Sequence, residues 1–273
     1  KILYIHNTNI DSSEANILQV LSMCNSFHDN NVNITLLLPN SDKEIKNIEE
    51  YVFNKHGINI NFNINFFEKN TLHPRIDTYF VSKKIRSAIR ASDADYVFTR
   101  LPIFIQASLK ENKKVIYESH SNKLHNKYKL INYIWRLFIL AKSKDKNFHL
   151  FITISNNLLN FWKLKGVSNM KLLALHDGAR LESFNLKDNK QTIRRNLGLP
   201  LNKKVFTYTG SLYPDREIEN ILQLAKRLPQ HFFCIVGGPD KNKDYYENIS
   251  NKMNLKNILF TGYLSHALVP GYL

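Results

Sequence analysis

Short runs that are apolar at successive positions alternate with longer amphipathic stretches along almost the whole chain, and this alternation leaves few folds open. A strand with one wet face alternates apolar and polar residues. The run "ILYIH" from Ile2 to His6 does not, so both of its faces need cover, which a parallel sheet flanked by helices supplies. Seven such runs are read as strands: Ile2 to His6, Asn33 to Leu38, Asn61 to Phe67, Tyr96 to Thr99, Lys114 to Glu118, Leu150 to Ile154 and Lys171 to Leu175. The segments between them have helix length. Ile17, Val20, Leu21, Cys24 and Phe27, for example, recur at helical spacing behind a polar start at Asp11, Ser12 and Ser13 that can cap a helix. The repeating unit is βα, and no short internal repeat, low-complexity tract or heptad run competes with it.

After "HDGARLESF" a polar, charged stretch from Asn185 to Lys203 interrupts the pattern, and the alternation then restarts. Three further strands are expected, at Val205 to Thr209, Phe232 to Val236 and Ile258 to Thr261, with helices at Arg216 to Arg227 and Asp244 to Met253. The chain is thus α/β, with an N-terminal Rossmann-like domain over 1–180, and a linker followed by a half-finished second domain over 181–273, in line with roughly 100–200 residues per domain. The lack of an initiator methionine and the ending "VPGYL" within a helical pattern suggest a piece of a longer protein.

Two cysteines, Cys24 and Cys234, lie far apart inside apolar runs, which argues against a disulfide framework or a cysteine metal site and for a reducing cytoplasm. No apolar run approaches the ~18 residues that span a bilayer. A net charge of +15 points to an anionic partner: nucleic acid, a membrane surface or a phosphorylated substrate. Heavy use of Asn, Lys and Ile by itself adds scattered lysines, so the charge only supports such a reading.

In an open parallel sheet, ligands gather at the carboxyl ends of the strands. "YTGSLYPDRE" lies at such an end. Gly210 lets backbone approach a ligand, the following helix start offers N–H donors, and Arg216 adds a positive charge, a set suited to a diphosphate. The same residues read equally as a tight turn at Gly210, a β-turn at "YPD" and a solvated arginine. Gly237 and Gly238 end the next strand and Gly262 the one after, so three neighbouring strand ends finish in glycine. No dinucleotide G-x-G-x-x-G and no P-loop occurs. In the first domain "VIYESH" puts Glu118 and His120, and "LALHDGA" puts His176, Asp177 and Gly178, at strand ends, where a histidine can donate to a hydroxyl or phosphate. A packing or hinge role suits His176 as well. No His/Cys/Asp set has the spacing of metal ligands, so no metal is expected.

The stretch "KYKLINYIWRLFILAK", Lys127 to Lys142, is apolar around most of a helix, with Lys129, Asn132 and Arg136 forming a narrow polar strip and basic residues at both ends. With Tyr133 and Trp135 it could lie on an anionic membrane surface. The plainer reading, a helix sandwiched between the sheet and a neighbour, is preferred.

In order and spacing "KILYIHN", "DYVFTR", "VIYESH", "FITISNNL", "LLALHDGARLESF", "YTGSLYPDRE", "IVGGPD" and "ILFTGYL" resemble the GT-B-fold nucleotide-sugar glycosyltransferases, specifically family 4, the retaining enzymes called glycosyl transferases group 1. The resemblance implies two Rossmann-like doubly wound parallel-sheet domains facing a cleft, the second incomplete here, with donor bound mainly by the C-terminal domain and acceptor by the N-terminal one. Gly210 and Arg216 match the glycine and the lysine of a G-R-x-x-x-x-K-like pattern beside the donor diphosphate. Ser211 replaces its first basic residue. His120 falls where the family has a histidine near the transferred sugar, and Gly262, Tyr263 and Leu264 match the loop whose backbone meets the nucleobase, beside Gly238. The family's glycine-rich first βα loop is replaced by "HNTNIDSSEAN", which leaves its work to Ser12, Ser13 and the helix N-terminus. The paired glutamates that bind the donor sugar are expected beyond Leu273, so the 273 residues alone are expected to be inactive.

The implied function is transfer of a sugar from a nucleotide diphosphate sugar to a glycan or lipid-linked acceptor hydroxyl, with retention, in surface glycan synthesis. It needs no cofactor and takes place in the cytoplasm or at the inner face of the membrane. A GT-B sugar-nucleotide epimerase is the rival enzyme reading, and a basic membrane- or nucleic-acid-binding module the rival without catalysis. The lack of a nucleic-acid motif counts against a nucleic-acid partner.

Overall fold

The computed structural model describes residues 1–12, 15–41, 44–68, 84–123, 128–178 and 181–273; Ser13, Lys127 and the boundary residue Arg180 lie outside them. The chain divides into two compact units, Lys1–Gly178 and Ala179–Leu273.

The first unit is built on seven parallel strands: β1 (Ile2–Ile5), β2 (Ile34–Pro39), β3 (Asn63–Phe67), β4 (Tyr96–Thr99), β5 (Lys114–Ser119), β6 (Phe148–Thr153) and β7 (Leu172–Ala174), in the spatial order β3-β2-β1-β4-β5-β6-β7. All seven expected strands form, each bound within two residues. Their continuous apolar runs are explained by cover on both faces. Ile2 and Tyr4 of β1 pack with Ile17, Val20, Leu21 and Cys24 of α1 (Ala15–Asp29), whereas Leu3 and Ile5 pack on the other side with Ile85 and Ile89 of α3 (84–91) and Phe104 and Ala107 of α4 (Pro102–Lys110). Alternate residues of one strand thus serve two cores. A third core joins β5 and β6 to Ile139 of α5 (Lys129–Ser143) and Leu158 and Trp162 of α6 (Asn156–Leu164). Helix starts follow local chemistry: the side chain of Asn47 accepts from the Glu50 N–H at the start of α2 (Ile48–His56), and that of Ser155 accepts from the Leu158 N–H at the start of α6.

In the second unit β8 (Val205–Thr209), β9 (Phe232–Val236) and β10 (Ile258–Gly262) form a parallel sheet in the order β10-β9-β8. The central strand "FFCIV" is the most buried of the three. Three expectations need correction. The stretch Asn185 to Lys203 is not mere linker, because it carries α7 (Lys190–Asn196), whose N-cap Asn189 accepts from the Thr192 N–H, and Leu197 and Leu199 after it pack with Cys234 and Val236 of β9. Arg216 does not open the next helix. It closes a 3-10 turn, Pro214–Arg216, and Glu217 at φ +54° leads into α8 (Ile218–Arg227), since the proline sets a tight turn one step earlier. The last helix, α9 (Asp240–Lys252), starts four residues before the expected Asp244, with Asp240 in its first turn where the helix dipole favours an acid.

The fourth correction concerns α5. Of its polar strip, Asn132 is 7% exposed and Arg136 is half-buried, its Nε donating to the Asn132 carbonyl at 3.1 Å, whereas Lys129 is exposed. Leu130, Ile131, Ile134 and Leu137 face outward, Leu130 at 69% exposure. The sandwiched helix is therefore not what forms.

Candidate functional site

Candidate groups collect at the carboxyl end of each sheet. In the first unit the chain order reverses between β1 and β4, the switch point at which open α/β sheets leave a crevice. His6 follows β1, Arg100 follows β4, Glu118 is the last residue but one of β5 and His120 lies just beyond the strand. The parallel register brings these side chains together. Arg100 Nε donates to Glu118 Oε2 at 2.5 Å, and His120 Nε2 lies 3.2 Å from the same oxygen. Arg100 Nη1 donates to Gln19 Oε1 at 3.1 Å, and Gln19 Nε2 donates in turn to Asp177 Oδ1. The guanidinium carbon lies 5.9 Å from the centroid of the Tyr4 ring.

Burial works to raise the Glu118 carboxyl, but the hydrogen bond from His120 and the charge of Arg100 outweigh it and hold it below the usual carboxylate range. Glu118 is therefore an anion at neutral pH, shared by two donors. His6 is pushed down to about 4, first by burial and then by the charges of Arg100 and His120, so it is neutral. Its Nδ1 accepts from the Thr8 N–H at 3.1 Å, which leaves the proton on Nε2. Behind the cluster, buried Trp162 donates from Nε1 to Ser119 Oγ at 3.0 Å and ties α6 to the end of β5.

Of the residues singled out from sequence, Glu118, His120 and Asp177 join this network, whereas His176 is exposed. The Asp11 carboxylate accepts from Ser41 Oγ at 2.7 Å and from the Tyr51 hydroxyl, and Ser13 of the expected cap lies outside the described residues. Arg100 and His6 were not singled out, although both stand in quoted motifs. A charged or titratable residue just after a strand was the available signal, but strand order decides whether it matters.

In the second unit the three glycine-ended strands meet backbone to backbone. Gly210 N donates to the Val236 carbonyl at 2.9 Å, Leu212 N to the Gly238 carbonyl at 2.7 Å, and Gly237 N to the Gly262 carbonyl at 2.9 Å. Gly210, Gly237 and Gly262 have φ of +153°, +139° and +73°, conformations that L side chains rarely adopt. A Cβ on Gly238 would lie 2.6 Å from the Tyr263 ring, so that ring rests on bare backbone. Tyr263 itself is half exposed, while Leu264 is half-buried and packs toward Leu199, Cys234 and Val236. The Tyr208 hydroxyl donates to the Ser211 carbonyl at 2.8 Å. Burial raises the Tyr208 hydroxyl, and the nearby charge of Arg216 works against that rise. Exposed Arg216 closes the 3-10 turn with its N–H donating to the Tyr213 carbonyl at 2.9 Å, and left-handed Glu217 follows it directly.

Two α/β units, each a parallel sheet with candidate groups at its carboxyl ends, make up the fold, and among solved structures it is the fold of GT-B glycosyltransferases. Residues 189–273, which hold the glycine cluster, match the family model of glycosyl transferases group 1. Over 125 residues the chain is 28% identical to WcaI of Escherichia coli (strain K12), named as a colanic acid biosynthesis glycosyl transferase; the match takes in 44% of the chain and 30% of that relative. Among solved structures, Anabaena Alr3699/HepE in complex with UDP and glucose has a TM-score of 0.72 at 15% identity, covering 99% of this chain and 71% of that one. Sucrose-phosphate synthase from Thermosynechococcus elongatus has a TM-score of 0.74 at 12% identity, covering 100% and 73%. At such identities the likeness is one of fold.

Proposed function

We propose that the protein is a retaining, family 4 glycosyltransferase that moves a sugar from a nucleoside diphosphate sugar to a glycan or lipid-linked acceptor hydroxyl in surface polysaccharide synthesis. The observation that carries this reading is the stitched glycine cluster of Gly210, Gly237, Gly238 and Gly262, with Arg216 beside it, inside the segment that matches the group 1 model. Side chains are missing where a pyrophosphate needs close backbone approach, and a cation stands where its charge falls. HepE, solved in complex with UDP and glucose, and WcaI, named for colanic acid biosynthesis, support the substrate class.

In the reaction the bond between the anomeric carbon and the diphosphate oxygen breaks, and the acceptor oxygen bonds to that carbon on the same face and passes its proton to the leaving diphosphate. Negative charge grows on the leaving diphosphate. Arg216 therefore stabilises the transition state more than the ground state. In the first unit His120, held by Glu118 through Nε2, keeps Nδ1 for a sugar hydroxyl.

The test is turnover of the natural gene product. Arg216→Ala should lower it tenfold or more, on the order of 1.4 kcal/mol of barrier. Unchanged turnover removes Arg216 from the donor site. Incubation with nucleotide sugar and no acceptor separates transfer from the rival chemistry, because epimerisation under those conditions would make the protein an epimerase.

A further inference from the structure

Three side chains stand abreast where neighbouring strands of the first sheet end. Thr99 pairs with Ile5 of β1 on one side and with Tyr117 of β5 on the other, so the next residues in register are His6, Arg100 and Glu118. His120, two positions past Glu118, returns to the same face of the sheet. Arg100 is held on two sides, by Glu118 through Nε and by Gln19 of α1 through Nη1, with the Tyr4 ring beside it. A single oxygen, Glu118 Oε2, thus serves both Arg100 Nε and His120 Nε2. The side chains of Arg100 and Glu118 are 8% and 4% exposed. Burying such a pair costs hydration that its attraction often fails to return, and Arg100 Nη2 is buried with no hydrogen-bond partner among the described residues. Stability alone is therefore a poor account of Arg100, and control of the carboxylate is a better one.

We propose that Arg100 is a positioning residue that acts on His120 through Glu118: it fixes the carboxylate oxygen that receives the His120 Nε2–H and offsets its charge, so the ring is oriented without being drawn to a second proton. This deepens the function proposed above and rests on it for one point, that His120 meets a sugar hydroxyl. A neutral ring bonded through Nε2–H keeps a lone pair on Nδ1 to accept that hydroxyl's hydrogen, whereas an imidazolium only donates. Among the described residues the charged or titratable groups around the ring are Glu118 at the end of β5, Arg100 after β4 and His6 after β1, with Asp177 after β7 one step away through Gln19. His6 is uncharged at neutral pH, so one anion and one cation lie next to the ring.

Histidine-selective 15N NMR of the 273-residue chain reads the ring directly, with no sugar nucleotide present, and His120→Gln assigns its signal. In Arg100→Met the His120 ring should titrate at least about one pH unit higher than in the wild type, since the Glu118 anion then acts on it unopposed. Arg100→Lys, which returns the charge without the fork, should recover at least half of that shift. Arg100→Gln, uncharged but able to donate to Glu118, should move the titration in the same direction and serves if the methionine variant fails to fold. In a Glu118→Gln background the loss of Arg100 should have less than half its effect, because the path runs through the carboxylate. An unchanged or lower titration in the Arg100→Met and Arg100→Gln variants overturns the inference. So does an equal shift in the Glu118→Gln background, which would mean that the arginine acts on the ring directly. The donor reading is tested apart from this, by turnover of Arg216→Ala: if that reading fails, the His120 titration still behaves as stated, and if the titration fails, the donor site stands.

Discussion

At Gly237 a single Cβ would decide whether the second sheet closes. It would sit 1.8 Å from the Gly210 carbonyl oxygen, and the backbone there is at φ +139°. Backbone, not a flexible side chain, is in the way, so Gly237→Ala should cost at least about 2 kcal/mol in a denaturant titration. Gly178→Ala is the control, because a Cβ there meets nothing within 4 Å. His6 sets a second expectation, in pH. Its folded pKa is about 4 and its unfolded value 6.5, so between those values the unfolded chain binds more protons and stability rises with pH. Lowering the pH from 7 to 5 should therefore remove about 2 kcal/mol, and His6→Asn should flatten that part of the profile. Glu118 acts lower on the scale. Its depressed pKa contributes stability that is present above the ordinary carboxylate value and lost as pH falls through the folded one.

Among the elements, α8 shows how a helix end can depend on a residue far away in sequence. The side-chain amide of Asn257, just before β10, lies 3.0, 3.2 and 3.0 Å from the carbonyls of Ala225, Leu228 and His231, at the end of α8 and in the loop to β9. The Leu228 carbonyl also accepts from the His231 N–H at 3.1 Å, and the amide is buried among these groups at the helix end. Asn257→Ala should lower the midpoint of thermal unfolding by an amount equivalent to about 1–3 kcal/mol. An unchanged midpoint would mean that water replaces the amide at no cost. The pattern of α8 itself was plain in sequence, with Ile218, Leu222 and Ala225 buried on one stripe. Its true start was not, because Pro214 and Asp215 begin a turn that a helical period of 3.6 residues cannot distinguish from a helix.

For the molecule as a whole, the proposed division of labour places the donor in the second unit. A nucleoside diphosphate at about a hundred times its Kd would stabilise the unit that holds it by about 2.7 kcal/mol. Hydrogen–deuterium exchange should then slow at residues 209–216, 236–240 and 261–265 and stay unchanged around Arg100, Glu118 and His120. Protection confined to the first unit, or none at saturation, would contradict the assignment.

What could be read from residues was whatever neighbours in sequence decide. Burial of a parallel strand on both faces leaves a continuous apolar run, so all ten strands were legible, and a glycine after a strand marks where the chain must turn or leave room. Tertiary structure alone decided what depends on partners distant in sequence. The strand order placed Arg100 and His6 beside Glu118 and His120, the backbone of Gly237 came to rest on that of Gly210, and α5 turned Asn132 inward and Leu130 outward. The physical reason is that periodicity records how much of a segment is apolar and at what spacing, whereas the identity of the surface that covers it is set by contacts between segments.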